Sequence, residues 1–383
     1  MIISLFDDDL YKFTMQQAAL KRNDVVSAKY RFKNRGNHRF NDKFMQIFKQ
    51  KLGYLAELKA NDNELELFGK LPFIEIWYLD FLRDYRYNLK QIEAYLDSDN
   101  NLQITITGPW HLTILWEVKL MAIISEVYFQ IEKDDGKWSM SGQELKLQTK
   151  ANKLASEQCK YADFGTRRRR SFLTQDLVVK TFKNYHHFIG TSNVHLAFKY
   201  GLKPIGTMAH EWVQAMSALE SLNHANRAML QQWIKAYGAS LGIALTDTFG
   251  TDAFFRDFEM PFAKMFDGVR HDSGDPFKFA DKTVAHYKNL GIKPSHKTIV
   301  FSDGLNPDLA VKIQKHCNKL EINSSFGIGT NFTNDFETPA LNMVIKLWEI
   351  NEIPVVKISD TPSKANGDPK MIEAVKYIYQ IDA

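Results

Sequence analysis

Pro204-Ile-Gly-Thr-Met-Ala-His210, Ile243-Ala-Leu-Thr-Asp-Thr248 and Gly268-Val-Arg-His-Asp-Ser273 share one design, a few apolar or small residues followed by a polar ending. The design recurs on both sides of them. Tyr161-Ala-Asp-Phe-Gly165 and His187-Phe-Ile-Gly-Thr-Ser192 precede; Thr298-Ile-Val-Phe-Ser-Asp303 and Phe326-Gly-Ile-Gly-Thr330 follow. Helix-sized amphipathic stretches separate several of them, the clearest being Glu211–Tyr237 and Pro276–Leu290. Short apolar segments joined by helical connections predict parallel strands with crossovers. In a (β/α) barrel the C-terminal strand ends converge on one rim, where active sites lie, whereas a doubly wound sheet concentrates its chemistry at one switch point. Seven decorated ends favour an α/β chain with a TIM-like (β/α) barrel. The short first connections make that barrel irregular.

Outward from this series, the N-terminal part mixes elements. Asp9 is placed to cap a helix over Leu10–Leu20, and Ser27–Lys33 predicts a strand that ends at Asn34-Arg35-Gly36. A second strand is expected near Gln103–Gly108, then helices near Leu112–Gln130 and Gly142–Ala155. The expected division is an N-terminal α/β domain over 1–110, a barrel over 111–355, and a segment 356–383 packing back on the other domains.

The bulk of the chain narrows the function. With 383 residues, 44% apolar and 25% charged, it can bury a large core. No apolar run approaches the ~20 residues of a membrane span, and the first residues lack a signal-peptide pattern, so a cytoplasmic protein is expected. Cys159 and Cys317 are too few for a disulfide framework and lack zinc spacing. Basic and acidic residues number 49 and 45, a balance that suits a local pocket for a small polyanion and does not call for nucleic acid. Arg167–Arg170 is the one tempting basic run, and four adjacent arginines usually mean a solvated face or a loop before a helix. Phosphate-loop and His-Glu-x-x-His patterns are absent from the sequence.

Several strand ends carry chemistry. His210 opens a helix, where free N–H groups and the dipole favour a phosphate on or beside the ring. Asp247 ends the next segment and can hold that imidazole in one tautomer; the bland alternative is a histidine at a helix start. In Arg270-His-Asp-Ser-Gly-Asp275, Asp272 suits vicinal ribose hydroxyls and Arg270 an anion, while Asp275 and Pro276 look like a helix cap. Glycines in Phe326-Gly-Ile-Gly-Thr330 allow backbone amides to approach a phosphate. The residues by themselves lead to a barrel enzyme acting on a phosphorylated, hydroxyl-rich small molecule, with a sugar-phosphate lyase or isomerase and an inactive binding protein as alternatives.

Taken together, the chain resembles the nicotinate phosphoribosyltransferase family. The resemblance runs in order through Asp9-Leu-Tyr-Lys-Phe-Thr-Met15, Arg31-Phe-Lys-Asn-Arg35, Asp163-Phe-Gly-Thr-Arg-Arg-Arg169, Gly190-Thr-Ser-Asn-Val194 and Gly206-Thr-Met-Ala-His-Glu211. It continues in Leu245-Thr-Asp-Thr-Phe249, Val269-Arg-His-Asp-Ser-Gly-Asp-Pro276, Phe301-Ser-Asp-Gly-Leu305 and Phe326-Gly-Ile-Gly-Thr-Asn331. The resemblance implies a two-domain subunit in a homodimer with shared active sites. It also implies joining of nicotinate to phosphoribosyl diphosphate, with Mg²⁺ and with ATP hydrolysis coupled through a phosphohistidine.

By that resemblance His210 is the phosphorylated histidine and Asp247 orients it. Phe164, and Tyr11 from the neighbouring subunit, would stack on the pyridine ring, with Arg167 and Arg270 towards its carboxylate. Asp272 and Asp303 would face ribose and the Mg-diphosphate, although no residue is assigned to the metal itself. Gly327, Gly329 and Thr330 would cradle the 5′-phosphate, and Arg35, Lys357, Ser359 and Lys364 would serve the diphosphate or nucleotide. Nicotinamide-specific relatives carry aspartate in the equivalent of Gly190-Thr-Ser192. Ser192, which does not repel a carboxylate, therefore favours nicotinate.

Overall fold

Ala28, Tyr30 and Phe32 alternate with Lys29, Arg31 and Lys33, the period of two that sorts side chains to opposite faces of a strand. They form β1 (Ser27–Asn34), with the three apolar residues buried. In the computed structural model, which describes residues 2–36 and 38–381, the chain is an α/β protein of two units. One takes Met1–Asn152, Ala162–Gly206 and Ile328–Lys346; the other takes Lys153–Tyr161, Thr207–Gly327 and Leu347–Ala383. Both are discontinuous in the chain.

In the first unit, β2 (Ile92–Leu96) and β3 (Leu102–Pro109) follow β1. β3 lies between the other two and is antiparallel to both, so Ile106 faces Tyr30 on one side and Ile92 on the other. β4 (Tyr161–Asp163) and β5 (Phe188–Thr191) are neighbours. The helix Trp116–Asp134 is buried at every position from Trp116 to Val127. Its polar residues therefore need partners, because an unpaired buried charge is costly. Lys119 Nζ donates to the carbonyls of Leu5 at 2.9 Å and Asp7 at 2.6 Å. Glu126 Oε1 accepts from Arg169 Nε at 2.7 Å, and Arg169 grips Asp7 with both terminal nitrogens, at 2.7 and 2.9 Å. The segment Ser4–Asp9 is thus threaded through a buried ionic lattice before the helix Leu10–Lys21 begins.

In the second unit, β6 (Ile243–Leu245), β7 (Gly268–His271), β8 (Thr298–Phe301) and β9 (Asn323–Ile328) are parallel neighbours in that order. Leu245, Arg270, Val300 and Ser325 share one row. The helices Thr251–Asp257, Pro276–Asn289 and Pro307–Lys319 make the crossovers, and Asp275 caps the second by accepting from Phe277 N at 2.8 Å. β10 (Met343–Ile350) turns back into β11 (Ile353–Pro354), with Ile350 opposite Ile353.

Four local expectations are corrected. Asp9 stands at the N-cap position of Leu10–Lys21 without capping it, because its carboxylate is engaged by the Ser192 hydroxyl. The segment from Pro204 makes only an isolated bridge to Thr191. Pro204 has no N–H to offer a ladder, and Gly206 turns to φ +157° where a Cβ would come 3.2 Å from Tyr11 N. The stretch Glu211–Tyr237 is two helices, His210–Leu219 and Ala225–Tyr237, broken at Glu220, where φ swings to −116°. Finally, of the two readings of the arginine run, the loop before a helix holds, with Ser171 capping Phe172–Phe182, and the solvated face does not: Arg169 and Arg170 are fully buried, and the Arg170 guanidinium lies 3.6 Å from the Phe129 ring centroid.

Removing the Arg169 guanidinium strands Asp7 and Glu126 as buried charges. Arg169→Ala is expected to cost about 3–5 kcal/mol of stability, measured by urea unfolding; a loss below ~1 kcal/mol would show that the lattice is dispensable.

Candidate active site

His210 is the first residue of the helix His210–Leu219 and is 5% exposed. Its Nδ1 lies 3.0 Å from Thr248 Oγ1. Around Nε2 stand Lys357 Nζ at 2.8 Å, Asp272 Oδ2 at 3.0 Å and Asp247 Oδ1 at 3.6 Å. An ammonium can only donate and a carboxylate can only accept. Nε2 therefore has a partner in either state: bare, it accepts from Lys357; protonated, it donates to Asp272. Burial, and then the charge of Lys357, hold the imidazole down at about 4, against the two aspartates. The ring is neutral near pH 7.

Asp247 ends the stretch after β6 and is fully buried. Its Oδ2 accepts from Ser273 Oγ at 2.5 Å, Lys357 Nζ at 3.0 Å and Ser359 Oγ at 3.3 Å. Burial alone would raise this carboxyl, but His210 and Lys357 outweigh it and hold it at about 2. The sequence expectation made Asp247 the orienting group; by distance, Thr248 and Asp272 are the nearer partners of the ring. The structure does bring Asp247 into the same group.

Asp272 is held from the other side. Its Oδ1 accepts from Ser302 Oγ at 2.8 Å and Arg270 Nη2 at 3.1 Å, while Arg270 Nε donates to Ser302 at 2.9 Å. Arg270 and Asp272 follow the alternation of β7; between them His271 is buried against Phe279 and Phe301, at 5.0 and 5.6 Å between ring centroids. Asp272 is kept well below the usual carboxylate range: Arg270, His210 and Lys357 overcome its desolvation. Asp303 pairs with Lys364, which also donates to Asp272 O at 3.3 Å. Lys357, Ser359 and Lys364 arrive on a strap tied down by Ile358 N to Thr248 O at 2.7 Å and Lys357 N to Asn366 O at 2.8 Å.

The ligand atoms of His210, Asp247 and Asp272 lie within 4.8 Å of one another, a spacing that suits a cation. The Lys357 ammonium supplies one there. Asp303 is the more open carboxylate, with about a third of its side chain exposed.

A second group lies within the first unit. Ser192 donates to Asp9 Oδ1 at 2.6 Å and its carbonyl accepts from Leu10 N at 2.8 Å, which sets Tyr11 on the first turn of its helix. Burial pushes the Tyr11 phenol well above its ordinary value, and Arg167 pulls against it. Glu117 joins Lys12 at 2.6 Å and Arg167 at 3.5 Å. Phe164 N donates to Ile328 O at 2.9 Å, next to Gly329, which opens the short helix Thr330–Thr333. Gly327 lies on β9. Arg35 follows β1, half buried, with its N–H on Asn342 O at 2.7 Å. Thr248, Ser273, Ser302 and Glu117 were not singled out from the sequence. The first three sit within one or two residues of chosen positions, which was the available signal; Glu117 had none.

Two family models match the chain, the nicotinate phosphoribosyltransferase (NAPRTase) family over residues 159–383 and its N-terminal domain over residues 6–125. A nicotinate phosphoribosyltransferase from Methanosarcina acetivorans is 45% identical over 397 residues, covering 99% of this chain and 98% of its own. Nicotinate phosphoribosyltransferase 2 of Pseudomonas aeruginosa is 42% identical, covering 100% of this chain and 98% of its own. Among solved structures, the nicotinate phosphoribosyltransferase from Porphyromonas gingivalis superposes with a TM-score of 0.95 at 35% identity, over 100% of both chains. The one from Vibrio cholerae gives 0.93 at 35% identity, over 100% of this chain and 94% of its own.

Since Lys357 is a main cause of the low His210 value, Lys357→Met is expected to move the imidazole upward from about 4. An NMR titration of the His210 ring protons checks this; an unchanged midpoint would mean that burial alone sets it.

Proposed function

The chain belongs to the nicotinate phosphoribosyltransferase family, and from that premise we propose that it joins nicotinate to phosphoribosyl diphosphate, giving nicotinate mononucleotide and diphosphate for NAD synthesis. The observation that carries this reading is the setting of His210, a buried neutral imidazole with a donor and an acceptor both at Nε2.

The chemistry asks little of a base. The pyridine nitrogen is already a nucleophile; its lone pair forms the new bond to the anomeric carbon as the bond to the diphosphate oxygen breaks. Charge gathers on the leaving diphosphate, and positioning with neutralisation supplies most of the acceleration. Asp272, gripped by Arg270 and Ser302, faces the ribose hydroxyls. Lys357, Lys364, Ser359 and Arg35 serve the diphosphate, and Gly327, Gly329 and Thr330 the 5′-phosphate. Tyr11, taken from the neighbouring subunit in the homodimer reading, and Phe164 offer flat faces to the ring, with Arg167, Arg270 and Ser192 towards its carboxylate.

Magnesium takes oxygen ligands and keeps several waters, usually with one or two carboxylates and substrate phosphates. Asp272 and Asp303 are donors of that kind and fit it; the ion would add positive charge at the diphosphate. Ammonium groups already stand at both places, Lys357 within the His210–Asp247–Asp272 triad and Lys364 on Asp303, so the ion would share the diphosphate with them.

The reading includes coupling to ATP. An imidazole nitrogen of His210 forms a bond to the γ-phosphorus as the bond to the ADP oxygen breaks; water later takes the phosphoryl group, leaving phosphate and free histidine. Lys357 is placed to neutralise the added charge. The reading also includes a homodimer with shared active sites and a cytoplasmic location. Among the described residues no helix is long and apolar enough to cross a membrane.

The test is purified protein with nicotinate, phosphoribosyl diphosphate and Mg²⁺, with and without ATP, following nicotinate mononucleotide. Product enhanced by ATP is expected, with the enhancement abolished in His210→Ala. Asp272→Asn is expected to lower kcat by about a hundredfold. Product from nicotinamide alone would reassign the base, and silence with both bases would overturn the reading.

A further inference from the structure

Arg169 can only donate hydrogen bonds, and from it a chain of side chains takes one direction. Its Nη1 donates to Gln175 Oε1 at 3.1 Å, which makes Nε2 the donor end of that amide. Gln175 Nε2 donates to Asp163 Oδ2 at 2.8 Å and to Thr166 Oγ1 at 2.9 Å. Asn193 Nδ2 adds a longer contact to the same Thr166 oxygen, at 3.5 Å. With donors directed at its oxygen, Thr166 turns its own O–H to the Asp9 carboxylate. Asp9 is therefore met by a fixed donor on that side. Exchange is left to the other side, where Asp9 Oδ1 and Ser192 Oγ are 2.6 Å apart.

One proton can sit between Asp9 and Ser192 in two ways. An ionised Asp9 takes the Ser192 O–H and leaves the hydroxyl with lone pairs to present. A protonated Asp9 donates to Ser192 Oγ and frees the hydroxyl proton. A ring carboxylate needs a donor; a ring carboxamide can offer N–H to an acceptor. Resting on the reading of the base site above, we infer that Asp9 is a specificity-determining residue which, through Ser192, presents a donor to nicotinate in one state and an acceptor to a carboxamide in the other.

The surroundings keep both states within reach. Burial raises the Asp9 carboxyl, opposed by the hydroxyls of Ser192 and Thr166 and by Arg167, while Glu117 adds to the rise. Asp8 lies beside it, its Oδ1 accepting from Asp9 N at 2.7 Å. Asp163 on β4 and Tyr11 on the next helix are the other titratable groups that feel it. Nicotinate binds the protonated arrangement, so its KM must rise as pH passes upward through the Asp9 value. A carboxamide substrate gains nothing from that proton.

The test is steady-state kinetics with nicotinate and nicotinamide from mildly acidic to alkaline pH, separating KM from kcat. For the wild type, nicotinate KM is expected to climb with pH by on the order of tenfold, the worth of one hydrogen bond to a charged group. Asp9→Asn offers a permanent N–H to Ser192 and keeps an acceptor for Thr166, so its nicotinate KM should be flat at the low-pH value. Ser192→Ala should be flat at the high value, and it carries the test if the Asp9 variant fails to fold. Retention of the wild-type pH dependence in either variant, or a uniformly high KM in Asp9→Asn, would overturn the inference and leave the parent reading standing. A wild type that turned over neither base would overturn both.

Discussion

The Arg169–Asp7 pair is the constraint on which the first unit depends. Both groups are completely buried and joined by two short parallel bonds. Such a pair contributes little net stability but is costly to break, so it acts as a registration device more than a glue. Asp7 fixed in this way fixes Asp8 and Asp9 behind it. Lys119 then draws in the carbonyls of the same segment, and the helix carrying Tyr11 can start in only one place. The same guanidinium sets the direction of the amide and hydroxyl bonds that end at Ser192.

The second unit solves a similar problem around Asp247. One buried carboxylate gathers two hydroxyls and an ammonium from two separate stretches, Ser273 on one and Lys357 with Ser359 on the other. Each of these has a second duty. Ser273 Oγ accepts from Asp360 N at 3.1 Å, and Lys357 reaches His210. A charge that could not stand alone in the interior thereby assembles the polar groups around His210.

Much of this was legible in the sequence, and what was not has identifiable causes. Strands β4 to β9 were visible as short apolar segments with polar endings, and Asp247, Arg270 and Asp272 fell at or just after the ends of β6 and β7, while His210 was legible as the start of a helix. The helix from Pro276 was legible to its cap, since Asp275-Pro276 is a local signal. Pro204–Gly206 misled because its composition resembles a strand while its backbone is committed to passing the start of another helix. The arginine run misled because burial is decided by distant partners: Asp7, Glu126 and Phe129 are far from it in sequence. Glu117 was invisible for the same reason, since its partners Lys12 and Arg167 are far from it in sequence. The closure of both units by segments from separate parts of the chain is likewise not written in any local pattern.

Those four arginines have a consequence for how the gene can vary. Arg167 faces Glu117, Arg168 reaches the Leu341 carbonyl, Arg169 is clasped by Asp7, and Arg170 lies on the Phe129 ring. Gain or loss of a single arginine would barely change the look of this stretch. Here such an indel would preserve composition while moving every guanidinium into its neighbour's berth. The stretch that looks most redundant in the sequence is among those least tolerant of a change in length.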